Sequence, residues 1–363
     1  MTTDPPAPRT APVCPFDLHL DVIGGMLNVE LADDPVYSGL EIQTFDDPEH
    51  GRGLLAFVTR RGDGRADVYR EPGLRVDPRT YQVGHGIGRW VEATMDPARL
   101  RITPFGVDVA VRFRDDAGRP IEVRVDDRSR RRRRPARLLA PFGAAVEHPS
   151  CLLLAYMRHF DLVRRDGTEP RLTVDGRPAR TGSLPGSRLH GRPLIKYAAG
   201  IVVLRMNDAR DGPIPAAAPG AVELDPTGTG IAAVTATRGP HRACLRLDPP
   251  LPDLAGLPDR TATEGRWVLE LDEMALGGSW SAHRDGDRTD LVMDVTRGWR
   301  PAGLPLLMRV MTSVVRVFRT WPTTYRWSAT VSLPERTMRS RWERTTEDRD
   351  SSYRRLTGSA PRD

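Results

Sequence analysis

At 363 residues, with 39% hydrophobic and 28% charged side chains, the chain is long enough for two domains or one large β structure and too apolar to be disordered throughout. Its net charge of +6 rests almost wholly on arginine, since Lys196 is the single lysine; arginine-favouring codon usage explains this before a nucleic-acid partner does. Three scattered cysteines, Cys14, Cys151 and Cys244, exclude a disulfide framework and zinc-ligand spacing, and no run approaches the roughly 18 apolar residues that span a bilayer.

The chain opens with a proline-rich leader over 1–14 that has no apolar signal-peptide core. FDLHLDV (16–22) then alternates cleanly, and LNVEL (27–31) repeats the pattern after Gly24-Gly25, which predicts a hairpin. Strand patterns follow at 39–45, 54–60, 66–70 and 88–95. The clearest hairpin spans 107–125: Val107, Val109, Val111 and Phe113 line one face, DDAG turns, and Ile121, Val123 and Val125 return. Five consecutive arginines, 130–134, lie in a segment over 128–140 that reads as a solvated linker between an N-terminal β lobe (15–127) and a C-terminal lobe (141–335).

The second lobe resumes at CLLLAYMRHFDLV (151–163), apolar on both faces at its start and read as a central strand. LTVDGRPAR (172–180) reads as a tight hairpin on Asp175-Gly176, and PLIKYAAGIVVLRM (193–206) as a strand broken at Gly200. Strand patterns continue at 231–237, 241–247, 267–271 and 289–295. Over 304–320 apolar residues fill all but an arc of roughly 120° that holds Arg309, Thr312, Ser313, Arg316, Arg319 and Thr320. Such a helix is expected to be covered on most sides, in part by the strand after it. Trp321-Pro322 ends it, and Tyr325, Trp327, Ala329, Val331 and Leu333 alternate at strand period. The polar residues over 336–363 predict a frayed tail.

Roughly fifteen strands and one helix make the fold all-β or β-dominated: a two-lobed antiparallel β-barrel or sandwich with one C-terminal amphipathic helix. In outline this resembles the lipocalin-like two-barrel proteins, among them carotenoid hydratases and some cofactor-free cyclases. The resemblance is one of architecture and carries over no functional residue.

Phosphate-loop, nucleophile-elbow and zinc-helix motifs are absent from the sequence, so no cofactor or metal is expected. Asp17, His19 and Asp21 share a strand face, where a carboxylate beside an imidazole suits acid–base or metal chemistry; a solvated outer face explains them equally simply. Tyr156, His159 and Asp161 lie on the strand read as central, where buried polar groups need partners or a cavity, and they are the catalytic candidates. Lys196, with Trp280 and Trp327 from a late cluster of aromatics, are the candidate ligand-binding residues. The leading expectation is a cytoplasmic protein that binds an apolar or aromatic small molecule in a barrel or between lobes. The alternatives are a cofactor-free isomerase, hydratase or cyclase on an apolar substrate, and anion or nucleic-acid binding through arginines 130–134. The run lacks interleaved aromatics and has Asp126-Asp127 close before it, which makes a nucleic-acid partner the weaker choice.

Overall fold

Period-2 alternation of β-branched and aromatic residues dominates the chain, and strands dominate the structure. The computed structural model describes residues 12–345 except 79–80, 82–84, 143–145, 165–166, 183–192, 219, 300–303 and 305. Most of the leader and positions 346–363 of the expected tail lie outside the described residues. Strand makes up 60% and helix 4%, in three sheets. Among the described residues strand pairing is antiparallel apart from one pair of strands, which runs parallel from Ala66 beside Ile87 to Arg70 beside Glu92.

The first sheet runs β5 (Ile87–Glu92), β4 (Ala66–Arg70), β3 (Gly51–Arg60), β2 (Tyr37–Asp47), β1 (Leu18–Glu30), β13 (Ile195–Met206), β10 (Leu152–Leu162) and β9 (Ala136–Ala140). The second runs β12 (Arg177–Pro178), β11 (Thr168–Val174), β8 (Pro120–Asp126), β7 (Gly106–Arg114) and β6 (Ala98–Thr103). The third is a meander of β14 (Arg210–Pro213), β22 (Thr337–Arg344), β21 (Tyr325–Ser332), β20 (Arg288–Arg297), β19 (Met274–Asp285), β18 (Ala262–Leu271), β17 (His241–Pro252), β16 (Gly230–Arg238) and β15 (Val222–Leu224). Among the described residues no sheet closes into a barrel; each keeps two edge strands.

The 107–125 hairpin forms as β7 and β8, with every one of its predicted apolar residues buried. Gly24-Gly25 makes no hairpin. β1 runs straight through it and pairs with β13 from Leu18 beside Met206 to Val29 beside Ile195. Gly200 likewise sits within a continuous β13, at φ +61°, a left-handed conformation that a side chain would strain.

These glycines change which face of the strand looks inward. On β13, Val202, Leu204 and Met206 enter the core shared with the third sheet, while Ile195 and Tyr197, of opposite parity, enter the core shared with the second. Leu18 against Leu27 and Val29 on β1 repeats the exchange. One face of the first sheet therefore packs two different sheets end to end. Its other face carries a third apolar cluster that includes Ile23, Met26, Ala155, Met157, Ala198 and Ile201. Gly25 also lets β6 come close, since a Cβ there would stand 3.1 Å from Ile102 Cδ1.

Two further expectations change. After Pro334 the chain forms β22, whose Met338, Ser340 and Trp342 are buried while Arg339 and Arg341 are exposed; its alternation is hidden in composition by charge. The 304–320 helix divides into α1 (Leu306–Val314) and α2 (Arg316–Thr320) at Val315, which has extended φ/ψ. It is not covered on most sides: Leu304 and Met308 join the third cluster, but Leu306, Val310 and Val314 are exposed. The following strand, β21, packs Trp327, Ala329 and Val331 into the core of the third sheet instead.

The arginine run is not uniform either. Arg133 is buried, where its guanidinium donates to Asp127 Oδ2 at 2.8 Å and to Tyr197 Oη at 3.0 Å, while Arg130, Arg131, Arg132 and Arg134 stay exposed.

Candidate functional site

The third cluster floors a cleft of about 290 Å³. Ile23 and Met26 of β1, Ala155 and Met157 of β10 and Ile201 of β13 supply an apolar surface. Its polar wall draws on several segments, and three groups far apart in sequence meet in it: Asp21 on β1, His50 in the β2–β3 turn, and Arg238 at the end of β16. The cleft thus lies where the outer face of the first sheet meets an edge region of the third.

Local sequence sets each group. Asp47 Oδ1 accepts the backbone N–H groups of Glu49 and His50, both at 3.0 Å, a side-chain-closed turn of the kind aspartate favours. Its second oxygen, Oδ2, accepts from His50 Nδ1 at 2.9 Å, so one carboxylate both builds the turn and orients the ring. His50 Nε2 then points to Asp21 Oδ1 at 3.3 Å. Arg238 precedes the two-residue turn Gly239-Pro240, with Gly239 at φ +55° as a tight hairpin requires. Its guanidinium pairs with Glu49, lies 3.3 Å from Asp21 Oδ1 and 3.7 Å from Asp47 Oδ1, and approaches His50 Nδ1 at 3.1 Å.

The electrostatics follow from this enclosure. The hydrogen bond to Asp21 holds the His50 imidazole above its ordinary value, against the opposing effect of burial, and Asp47 adds to the rise. Partial burial alone would raise Asp47, yet the His50 backbone N–H and ring bring it below the usual carboxylate range. Both ring nitrogens face carboxylates, and each can donate to one when the imidazole is protonated. Deeper in the wall, Tyr81 donates to Gln43 Oε1 at 2.9 Å, and Gln43 Nε2 donates to Glu41 Oε1 at 2.7 Å. Burial pushes the Tyr81 phenol well above its normal value, and burial likewise raises Glu41.

The residues expected from sequence to act together lie apart. Tyr156 is in the core shared with the third sheet, edge-on to Trp299 at 6.0 Å between centroids. His159 is exposed. Asp161 accepts from Tyr197 Oη at 3.3 Å and Arg164 Nη2 at 2.8 Å, beside the buried Arg133–Asp127 pair. Lys196 Nζ pairs with Glu30 Oε1 at 3.1 Å. Trp280 and Trp327 are buried in the third-sheet core, and their indole N–H groups have no acceptor among the described residues. None of these six lines the cleft; their neighbour Met157 does.

Of the alternating face Asp17, His19 and Asp21, the last two do line it. Asp17, His19 and Asp208 place ligand atoms within 4.8 Å of one another, but Arg210 pairs with Asp17 at 2.5 Å and Arg205 with Asp208 at 3.4 Å, so the cluster is already neutralised. His50 and Arg238 were missed by sequence reasoning. The only local signal was Asp47-Pro48-Glu49-His50, a turn with two carboxylates and a histidine. Comparison of the chain with protein-family models, with curated proteins and with solved structures finds no match.

Proposed function

We propose that the cleft binds a small amphipathic molecule, with its apolar body on the floor of Ile23, Met26, Ala155, Met157 and Ile201 and its polar end against Asp21, His50 and Arg238. The observation that carries this reading is the convergence of an apolar floor and a wall of charged groups, Asp21, His50 and Arg238 among them, on one space of about 290 Å³, the usual make-up of a small-molecule site. It keeps the binding role expected from the sequence and puts the site on the outer face of a sheet in place of a barrel or inter-lobe pocket. Asp21 accepts from a ligand hydroxyl or amine and Arg238 donates to a carbonyl or anionic oxygen, while His50, whose two ring nitrogens face Asp47 and Asp21, holds those carboxylates in place.

Native mass spectrometry of the full chain tests it. An excess mass lost on denaturation is expected in the wild type and absent from Ala155→Phe, which fills the floor. An identical adduct in both proteins refutes the assignment to this cleft.

One observation favours a second reading, a cofactor-free acid–base enzyme. The raised pKa of His50 places a proton donor beside the carboxylate of Asp21 in a cleft, the arrangement that general acid–base chemistry uses. Here the comparison is between molecules recovered from wild type and from His50→Gln. Chemically different molecules indicate turnover, and the same molecule from both indicates binding alone.

A further inference from the structure

We propose that α1 docks on an anionic lipid bilayer, with its apolar stripe among the acyl chains and its arginines at the headgroups. Leu306, Val310 and Val314 recur every fourth residue and so stand along one side of the helix, 74%, 51% and 72% exposed. They span roughly 12 Å of helix axis, at 1.5 Å per residue. Leaving three such side chains in water, in line and adjacent, is costly for a helix with no other use for them. The opposite side is tied down: Met308 and Leu304 belong to the cluster that floors the cleft. The helix is therefore held by one edge and presents the other outward.

Charge selects the partner. Residues 295–334 contain six arginines and no acidic residue, although the whole chain has 48 Asp and Glu in 363. Arg326 pairs with Asp294; Arg309 is exposed beside the stripe and Arg316 is exposed at the start of α2. An apolar line edged by arginine is the pattern of an interfacial helix on anionic lipid. A second copy of the chain fits less well. The three side chains offer roughly 300 Å², far below the ~800 Å² per partner of a standard interface. The proposal does not depend on what occupies the cleft.

The test is co-sedimentation of the full chain with vesicles of phosphatidylcholine alone or mixed with phosphatidylglycerol. Binding is expected to the mixed vesicles, weakened by salt and by removal of the anionic lipid. The Leu306→Ser/Val310→Ser/Val314→Ser variant, changed only at exposed positions, should lose on the order of 100-fold in partition coefficient through the missing apolar burial. A separate Val310→Trp protein should show a blue-shifted emission component when mixed vesicles are added. Equal partitioning of wild type and triple variant overturns the proposal, as does absence of wild-type binding. A wild-type dimer that the triple variant converts to monomer in sedimentation velocity also overturns it and makes the stripe a self-interface.

Discussion

Within five consecutive arginines, one substitution should cost several kcal/mol and its neighbour almost nothing. The Arg133 side chain is 4% exposed and pairs at 2.8 Å with Asp127, itself 1% exposed. It also donates to the Asp127 backbone carbonyl and, at 3.0 Å, to Tyr197 Oη, which bridges onward to Asp161. Arg133→Met keeps much of the side-chain volume but leaves the Asp127 carboxylate buried without its cation. Removing one member of a buried pair costs about 3–5 kcal/mol, because the remaining charge stays desolvated. Arg132→Met, at an exposed position, should change stability by less than ~0.5 kcal/mol. The double variant Asp127→Asn/Arg133→Met removes both charges, and it should be more stable than the sum of the single losses by about 2 kcal/mol. Urea unfolding followed by far-ultraviolet circular dichroism measures the wild type, Arg132→Met, Arg133→Met, Asp127→Asn and the double variant. Indistinguishable midpoints for Arg132→Met and Arg133→Met would refute the claim that a single arginine fastens this loop.

The His50 imidazole should titrate above its ordinary value of about 6.5, read from its ring protons by NMR, and a midpoint at or below that value contradicts the two-carboxylate geometry. Because its folded pKa is raised, its stabilising contribution is complete below the unfolded value and disappears as pH climbs through the folded one. Asp47 is lowered, so its own contribution fades in acid, and the stability gap between wild type and His50→Gln should be widest at about pH 4–6.5. Burial pushes the Cys14 thiol up to about 11 and the Cys151 thiol up to about 12, so neither should react with a disulfide reagent at pH 8 until the protein is unfolded. Rapid labelling of either in the native protein would contradict their placement.

The parts of the fold legible in sequence are those governed by neighbours. The hairpin of Val107, Val109, Val111 and Phe113 with Ile121, Val123 and Val125 could be read because alternation and turn chemistry agree over nineteen consecutive residues. Gly24-Gly25, read as a turn, and Gly200, read as a break, misled because glycine marks a turn or break far more often than a mid-strand change of face, and that change makes sense only once both adjoining sheets are known. The same exchange separates Tyr156 from Asp161: parity carried along β10 cannot show that one end packs against the third sheet and the other beside the second. Nor could His50 and Arg238 be joined in advance, since they stand 188 positions apart and neither lies in a recognisable motif. The exposed side of α1 was illegible for a different reason. An apolar arc on a wheel records what could be buried, whereas actual burial depends on a surface to pack against, and α1 has one along only part of its circumference.

The pairing of β1 with β13 has a consequence for synthesis. Leu18 meets Met206 in the finished sheet. At 5–20 residues per second, a ribosome needs roughly 10–40 s to make the residues between them. During that interval Gly25–Glu30 of β1 can pair with β2, but the open edge from Leu18 to Ile23, which pairs with β13, has no native strand to receive it. That edge is the segment of the nascent chain where a chaperone has most reason to bind.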